Sequence, residues 1–241
     1  MSGTIYGVGL GPGDPDLISL KAARLVTQAD VVAFFRKPDR PGHARTIVEG
    51  MLKPGATEMA LEYPVTTEIA ADDPAYGEAL RPFYQASADR LAALAAEGRD
   101  VVVLCEGDPF LYGSFMHLHS RLKDRAKVEV VPGISGMAGC WTAADQPMTY
   151  GDDVLVVVPA TLDEGSMIAQ IETADALVVM KIGRNLAKVR RALSIAGFLD
   201  RAIYVERGTM ADQVVMPLTD KDDDEAPYFA MVLVPGEGRR P

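Results

Sequence analysis

Two almost unbroken runs of apolar residues, at 100–105 and 153–158, constrain the fold of this chain more than any other feature. A strand that is apolar on both faces needs cover on both faces, which helices provide in α/β proteins. Apolar residues at helical spacing occupy 17–29, 74–97 and 184–196. Further short strands are predicted at 4–8, 30–35, 127–131, 176–180, 202–206 and 229–234. This alternation predicts an α/β fold.

Turn-forming residues divide these elements into two groups. The sequence VPGISG at 131–136 is the best candidate for a boundary, which predicts domains at 1–131 and 132–241. Pro82 lies inside the helical pattern at 74–97 and predicts a kink or a break there. The acidic run at 220–225 predicts a solvated loop, and a metal site at Asp222 and Asp224 is only weakly supported.

Composition excludes several classes of protein. With 241 residues, 48% of them hydrophobic, the chain can bury a core without disulfides or metals. Its 24 basic and 34 acidic residues give a net charge of −10, which is unfavourable for binding nucleic-acid phosphates. No apolar run approaches the roughly 18 residues of a membrane span, and the first residues lack a signal-peptide pattern. We therefore expect a cytoplasmic protein without nucleic-acid or membrane partners.

Metal-binding and redox patterns are weak. Cys105 and Cys140 belong to no CxxC pair, so buried, reduced thiols are predicted rather than a zinc site. His117 and His119 are two residues apart in a helical pattern and would point to different faces, which disfavours a metal pair. We expect no metal site.

The segment GVGLGPGDP at 7–15 follows the first predicted strand. Its glycines let the backbone approach a ligand closely. A dinucleotide-binding fingerprint would need glycine at position 12, where Pro12 removes an N–H group and stiffens the turn. This weakens the hypothesis of a nicotinamide-dependent oxidoreductase, although Asp30 lies near the position where the fingerprint requires an acidic residue. A turn with a purely structural role is the alternative.

The segment LCEGDPFLYGSF at 104–115 follows a predicted central strand, at the carboxyl end where α/β sheets bind ligands. Glu106 and Asp108 could accept hydrogen bonds from ribose hydroxyls or an amine, and Gly107 permits close approach. The alternative is a turn and helix start in which Asp108 is the N-cap.

A third segment, PGISGMAG at 132–139, begins a predicted helix at Ser135, where backbone N–H groups are available to a ligand. It is not a nucleophile elbow, because Met137 replaces the required glycine. No histidine follows Ser135, which excludes the order of catalytic residues in α/β hydrolases.

These three segments together resemble the tetrapyrrole methylase family of class III S-adenosylmethionine-dependent methyltransferases. The resemblance covers essentially the whole chain. Stretches at 63–68, 83–88, 180–184, 204–209 and 227–230 are similar to the members that methylate carbon 20 in cobalamin synthesis. The resemblance implies two α/β domains with a cofactor cleft between them and a homodimer. It also implies S-adenosylmethionine as cofactor, S-adenosylhomocysteine as product and a small-molecule tetrapyrrole substrate.

The resemblance also assigns individual residues. Cofactor contacts are implied for Pro12, Glu106, Gly107, Asp108, Leu111, Ser135, Gly136, Ile182, Tyr204 and Ala230. At position 182 relatives often carry methionine, so Ile182 is a departure from the family pattern.

A tetrapyrrole with several carboxylates needs cationic partners. The predicted substrate contacts are Arg36, Lys37, Tyr63, Tyr112 and Arg184. For the basic segment at 36–45, which we expect at the mouth of the cleft, an ordinary solvated loop is the alternative. Tyr112, Tyr63 and Glu68 are candidates for a proton acceptor, although packing is the commoner role for such tyrosines.

Other functions stay open at this point. A different corrin carbon or diphthine formation would suit another member of the family, whereas an RNA target is disfavoured by the net charge. A tetrapyrrole carrier without catalytic activity would not need the three cofactor loops.

Overall fold

A computed structural model describes residues 2–66, 68–69 and 73–238. The chain divides into two compact units, Met1–Ser135 and Gly136–Pro241. The observed division at 135 and the predicted one at 131 lie in the same turn-rich segment.

The first unit alternates strands and helices. Its strands are β1 (Thr4–Gly9), β2 (Val31–Arg36), β3 (Thr57–Glu62), β4 (Val101–Cys105) and β5 (Lys127–Val131). Its helices are α1 (Leu20–Gln28), α2 (His43–Ile47), α3 (Pro74–Ala96) and α4 (Phe115–Leu122). The strands form one sheet in the order β3-β2-β4-β1-β5, and all of its pairs are parallel. The carboxyl ends of β1, β4 and β5 therefore lie side by side at one edge.

The central strand β4 shows why the first sheet is covered on both faces. Val101 and Val103 pack into the core formed with α3 and α4. Val102 and Leu104 point to the opposite face and pack into the core formed with α1 and α2. The unbroken apolar run thus buries alternate side chains in two separate layers, as expected for an α/β sheet.

Helix α3 runs without interruption through Pro82, so of the two predicted outcomes, a kink or a break, the break is wrong. Proline removes the N–H group that would bond to the carbonyl of Glu78. Both residues are exposed. Water can therefore satisfy this carbonyl, and the buried face of the helix keeps its packing.

The second unit has a mixed sheet. Its strands are β6 (Leu155–Pro159), β7 (Ala176–Met180), β8 (Ile203–Glu206), β9 (Val214–Pro217) and β10 (Ala230–Val234). Its helices are α5 (Gly136–Ala143), α6 (Glu164–Ile171) and α7 (Leu186–Ile195). The strand order is β6-β7-β10-β8-β9, in which β6 and β7 are parallel and the other pairs are antiparallel. Alternate residues of β7 again pack on opposite faces.

The predicted elements correspond to observed ones with shifted ends. Helix α1 starts at Leu20 rather than 17, because Pro15–Leu17 forms a 3-10 turn and Ser19 caps the helix by accepting a bond from Ala22 N–H. Strands β3 and β9 and helices α2 and α6 were not predicted. Within the described ranges, no helix is long and apolar enough to cross a membrane.

Both cysteines are buried and free, with exposed fractions of 7% for Cys105 and 5% for Cys140. Burial raises the pKa of both thiols, that of Cys140 to about 11. Both are therefore protonated and inaccessible at pH 8.

We predict that the native protein reacts with less than about 0.1 equivalent of a disulfide reagent such as dithiobis-nitrobenzoate within minutes. The same reagent should titrate both thiols in guanidinium chloride, and rapid reaction of the native protein would contradict this burial.

Candidate functional site

Three loops meet at the carboxyl edge of the first sheet. They are the β1 loop (10–14), the β4 loop (106–114) and the β5 loop (132–135). Gly107 N donates to Gly11 O at 2.8 Å, and Leu10 N donates to Cys105 O at 2.9 Å. These bonds join the β1 loop to the β4 loop at the position where parallel sheets bind ligands.

Glycines allow the three strand ends to pack backbone against backbone. A Cβ atom on Gly133 would lie 2.2 Å from Gly107 O and 2.8 Å from the carbonyl carbon of Gly9. One on Gly9 would lie 2.5 Å from Gly133 N. Gly107 has φ of 61°, which glycine adopts without strain. The sequence predicted that these glycines let the backbone come close to a ligand. In the structure they let the backbones of the three loops come close to one another.

Asp108 holds the β4 and β5 loops together. Its Oδ2 accepts a hydrogen bond from Gly133 N at 3.1 Å, and its Oδ1 accepts one from Phe110 N at 2.9 Å. The alternative interpretation, in which Asp108 caps a helix that starts here, is wrong, because α4 begins only at Phe115. Each carboxylate oxygen of Asp108 therefore has a role in loop geometry.

Glu106 connects the β4 loop to the basic segment. Its Oε1 accepts a hydrogen bond from Ala44 N at 3.0 Å, in the first turn of α2. Burial raises the pKa of Glu106, while nearby His43 and the Ala44 N–H group act in the opposite direction. This carboxylate is partly buried at the end of a central strand, which is the environment of many ligand-binding acids.

The rest of the β4 loop is more exposed and locally strained. Tyr112 has φ of 55°, an uncommon conformation for a bulky residue. Leu111 and Tyr112 are 36% and 41% exposed, whereas Pro12 of the β1 loop is buried. Strain of this kind is concentrated at functional sites in folded proteins.

Two of the predicted substrate cations, Arg36 and Lys37, are already paired with acidic side chains. Arg36 Nη2 lies 2.5 Å from Glu62 Oε1, and Lys37 Nζ lies 3.7 Å from Glu68 Oε1. Backbone hydrogen bonding at Thr66 lowers the pKa of Glu68 to about 2, which makes this carboxylate a weak base. Arg45 pairs with Glu58 at 2.6 Å, so three cations of the basic segment each have one acidic partner.

Three of the predicted cofactor residues in the second unit share one hydrophobic cluster. Ile182, Tyr204 and Ala230 are all buried there. Gly136 begins α5 in the same unit, and a Cβ on it would lie 3.2 Å from Met231 Cε. Because the three side chains belong to the core, ligand contacts at these positions would use the backbone. Arg184, by contrast, is exposed.

Thr209, in the segment after β8, is a candidate that the sequence reasoning missed. Its Oγ1 is buried and makes no hydrogen bond within the part of the chain that the structure describes. Its φ of 74° is an outlier for a β-branched residue. A buried polar atom without a partner requires an explanation, and a nucleoside ligand with hydroxyls or ring nitrogens fits it. The sequence signal was the ERGT stretch at 206–209.

The weak metal candidates have other contacts. Asp224 pairs with Arg190 at 3.0 Å. The rings of His117 and His119 lie 4.5 Å from Tyr84 and 4.9 Å from Phe110, measured between centroids. Asp30 forms an ion pair with Lys53. Among the residues covered by the structure, no group of three or more His, Cys, Asp or Glu side chains could hold a metal ion.

Comparison with known proteins identifies a family and individual relatives. Residues 4–222 match the model of the Tetrapyrrole (Corrin/Porphyrin) Methylases. The chain is 54% identical to a precorrin-2 C(20)-methyltransferase of Sinorhizobium sp, over 99% of this chain and 98% of the relative. It is 28% identical to a cobalt-precorrin-2 C(20)-methyltransferase of Salmonella typhimurium, over 97% of each chain.

A solved structure shows the same fold. It is the uroporphyrin-III C-methyl transferase from Thermus thermophilus complexed with S-adenyl homocysteine, which aligns with a TM-score of 0.66 at 22% identity. The alignment covers 97% of this chain and 92% of the other.

Proposed function

The chain belongs to the tetrapyrrole methylase family, and from this premise we propose that it methylates precorrin-2 at C20, giving precorrin-3A in cobalamin biosynthesis. The observation that carries the proposal is the 54% identity to the Sinorhizobium precorrin-2 C(20)-methyltransferase over nearly all of both chains. A second candidate is the cobalt-containing substrate, cobalt-factor II, which the weaker similarity to the Salmonella enzyme supports.

S-adenosylmethionine, the cofactor we propose, supplies an activated methyl group when it is bound. We propose that Pro12, Glu106, Gly107, Asp108, Leu111, Ser135, Gly136, Ile182, Tyr204 and Ala230 hold it, as the family resemblance implies. The buried Thr209 hydroxyl supports this assignment, because a nucleoside would give it a partner. Asp108 contributes by shaping the β4 and β5 loops.

The protein itself must hold the methyl donor and the tetrapyrrole in the correct relative position. C20 of a reduced tetrapyrrole is electron-rich and can act as the nucleophile without activation by a base. Fixing two reactants in the reactive geometry can lower a barrier by roughly 7–11 kcal/mol. The loops at the edge of the first sheet are suited to this task, because hydrogen bonds and close glycine contacts hold their backbones together.

One proton must leave C20 after methylation. Of the three candidate acceptors, Glu68 is disfavoured, because a carboxylate whose pKa is about 2 has little affinity for a proton. Tyr63 and Tyr112 remain candidates, and water could also serve.

Arg36 and Lys37 supply positive charge for the substrate carboxylates in this proposal, together with Arg184. We predict that Arg36→Glu raises KM for the tetrapyrrole about tenfold or more, because a charged hydrogen bond is lost and Glu62 then faces a like charge. The dissociation constant for S-adenosylhomocysteine should stay within about twofold of the wild-type value.

The matched control is Arg90→Glu, which makes the same charge change at an exposed position of α3. It should leave both constants unchanged. Loss of S-adenosylhomocysteine binding in Arg36→Glu, measured by calorimetry, would contradict the assignment of Arg36 to the substrate.

We further propose that the protein is a cytoplasmic homodimer whose small-molecule partners are the cofactor and the tetrapyrrole, and that it has no nucleic-acid or membrane partner. The dimer follows from the family resemblance, and light scattering coupled to gel filtration tests it. A mass near 52 kDa, twice the 25.9 kDa of the chain, is expected. A single peak at the mass of one chain would contradict it.

The two candidate substrates are separated by competition. Equal amounts of precorrin-2 and cobalt-factor II, incubated without oxygen with the protein and methyl-labelled S-adenosylmethionine, should yield label mainly in the metal-free product. Preferential labelling of the cobalt product would replace the first proposal with the second.

A further inference from the structure

The carboxylate of Glu106 caps helix α2 from a distant part of the chain. Its Oε1 accepts the hydrogen bond from Ala44 N at 3.0 Å, although the two residues are 62 positions apart. Ala44 is the second residue of α2, and the residue before the helix, Gly42, makes no side-chain capping bond. A carboxylate at a helix start satisfies a backbone N–H group and interacts favourably with the helix dipole. Glu106 therefore takes the place of a local cap.

Helix α2 depends on this cap because it is short. It has only five residues, His43–Ile47, and a helix of that length is unstable by itself. Ala44 is buried in the core that α2 shares with β2 and β4. Without the Glu106 oxygen, a backbone N–H group of a buried residue would lose its acceptor. The end of β4 thus fixes the position at which α2 starts.

The connection between β2 and α2 is held at both of its ends. Arg40 N donates to Lys37 O at 3.3 Å and closes a turn, in which Asp39 has φ of 58°. A Cβ on Gly42 would lie 2.8 Å from Phe35 O, so the chain folds back closely over the end of β2. The turn at 37–40 therefore lies between a strand of the sheet and the capped helix.

Arg40, in this turn, differs from the other arginines and the lysine of the basic segment. Arg36, Lys37 and Arg45 each have an acidic partner. Arg40 is exposed and forms no ion pair with any residue in the ranges that the structure describes. A carboxylate ligand can therefore reach Arg40 without displacing an acidic side chain. The arginine fork matches a carboxylate with two parallel hydrogen bonds.

We propose that Arg40 binds a side-chain carboxylate of the tetrapyrrole, and that Glu106 is the positioning residue that presents Arg40 by capping α2. The proposal rests on the proposed function, because it requires a polycarboxylate substrate. The carboxylate of Glu106 then acts on the substrate side, and a cofactor contact at position 106 uses the backbone. A cation that is fixed before the substrate arrives loses less conformational entropy on binding than a mobile one.

Kinetics on precorrin-2 and calorimetry with S-adenosylhomocysteine test the two roles. Arg40→Ala should raise KM about tenfold while kcat changes less than about twofold. Glu106→Ala should raise KM about fivefold, because Arg40 is present but no longer fixed, and should change the affinity for S-adenosylhomocysteine less than about twofold. Glu106→Gln keeps an oxygen for Ala44 N–H and should restore most of the loss in KM.

The double variant shows whether Glu106 acts through Arg40. If it does, Glu106→Ala/Arg40→Ala has the KM of Arg40→Ala alone. Multiplied effects in the double variant would overturn the proposal. So would Glu106→Ala protein that binds S-adenosylhomocysteine more weakly while its KM for the tetrapyrrole is unchanged, because the carboxylate would then serve the cofactor.

Amide hydrogen exchange tests the cap without any substrate. In Glu106→Ala, exchange across 43–47 should be at least about tenfold faster than in wild type, whereas α1 should keep its rate. Asp163→Ala is the matched control, because Asp163 Oδ1 caps α6 by accepting a bond from Ser166 N at 2.9 Å. It should change neither the exchange of α2 nor KM. Unchanged exchange of α2 in Glu106→Ala would overturn the proposal.

A second control tests whether the effect belongs to Arg40. Arg90→Ala removes an exposed arginine from α3 and should leave KM unchanged. An equal rise in KM for both arginine variants would overturn the assignment of Arg40. Failure of the wild-type protein to methylate precorrin-2 contradicts the proposed function instead. Dissociation constants for precorrin-2, measured with S-adenosylhomocysteine present, then decide the role of Arg40, and exchange rates decide that of Glu106.

Discussion

Gly133→Ala is expected to destabilise the protein by about 3 kcal/mol or more, because its Cβ would lie 2.2 Å from Gly107 O and 2.8 Å from the carbonyl carbon of Gly9. Both contacts are with backbone atoms, so no side chain can move aside. The three loops would have to separate, which would also remove the bond from Gly133 N to Asp108. We expect the melting temperature to fall by about 10 °C.

The control for this substitution is Gly77→Ala. Gly77 lies in α3, and a Cβ there would meet no atom within 4 Å. Alanine at this helical position should stabilise the protein by about 0.5–1 kcal/mol. Thermal unfolding of both variants tests the packing of the loops. A Gly133→Ala protein that melts within about 2 °C of wild type would show that the loops are not in close contact.

Asp108→Asn is expected to weaken the binding of S-adenosylhomocysteine about ten- to a hundredfold. Each carboxylate oxygen of Asp108 accepts a backbone hydrogen bond, from Gly133 N and from Phe110 N. An amide offers one oxygen, so its NH₂ group would face the other N–H group. Leaving such a donor unsatisfied costs about 1–3 kcal/mol, and tenfold in affinity corresponds to about 1.4 kcal/mol.

Isothermal calorimetry measures this effect directly. Asp89→Asn serves as the control, since Asp89 forms an exposed ion pair with Arg125 that should contribute little to binding or stability. Unchanged affinity in Asp108→Asn would show that the geometry set by this carboxylate does not matter for the cofactor.

Strands that are apolar on both faces were predictable from the sequence. The sequence of residues 101–105 predicts a buried strand because all five are apolar. The structure agrees, since each face of β4 packs in a hydrophobic core. Strand β3 was missed because Thr57, Glu58 and Glu62 are exposed and break the apolar pattern. It is an edge strand with one neighbour, so it needs less apolar surface. Local sequence alone does not distinguish such a strand from a charged loop.

Pro82 shows a second limit of local reasoning. The prediction of a kink or break assumed that the lost hydrogen bond would disrupt the helix. In the structure Pro82 lies on the exposed face of α3, and the opposite face is held by Leu80, Tyr84 and other core residues. Tertiary packing therefore outweighs the local penalty.

The position of the three loops at the carboxyl ends of β1, β4 and β5 was predictable, because each loop is a contiguous motif that follows a strand. The hydrogen bond between the Tyr63 and Ser114 hydroxyls was not predictable, because the two residues are 51 positions apart and meet only through the fold. The ion pairs of Arg36 and Lys37 escaped prediction for a related reason. Their partners Glu62 and Glu68 lie on or beyond a strand that the sequence pattern did not reveal.

The most direct test of the central claim is the position of the transferred methyl group. The protein is incubated without oxygen with freshly made precorrin-2 and methyl-¹³C-labelled S-adenosylmethionine, and the product is analysed by mass spectrometry and NMR. We expect a gain of one methyl group, bonded to C20. A methyl group at another carbon, or no transfer to precorrin-2 by protein that binds the cofactor, would contradict it.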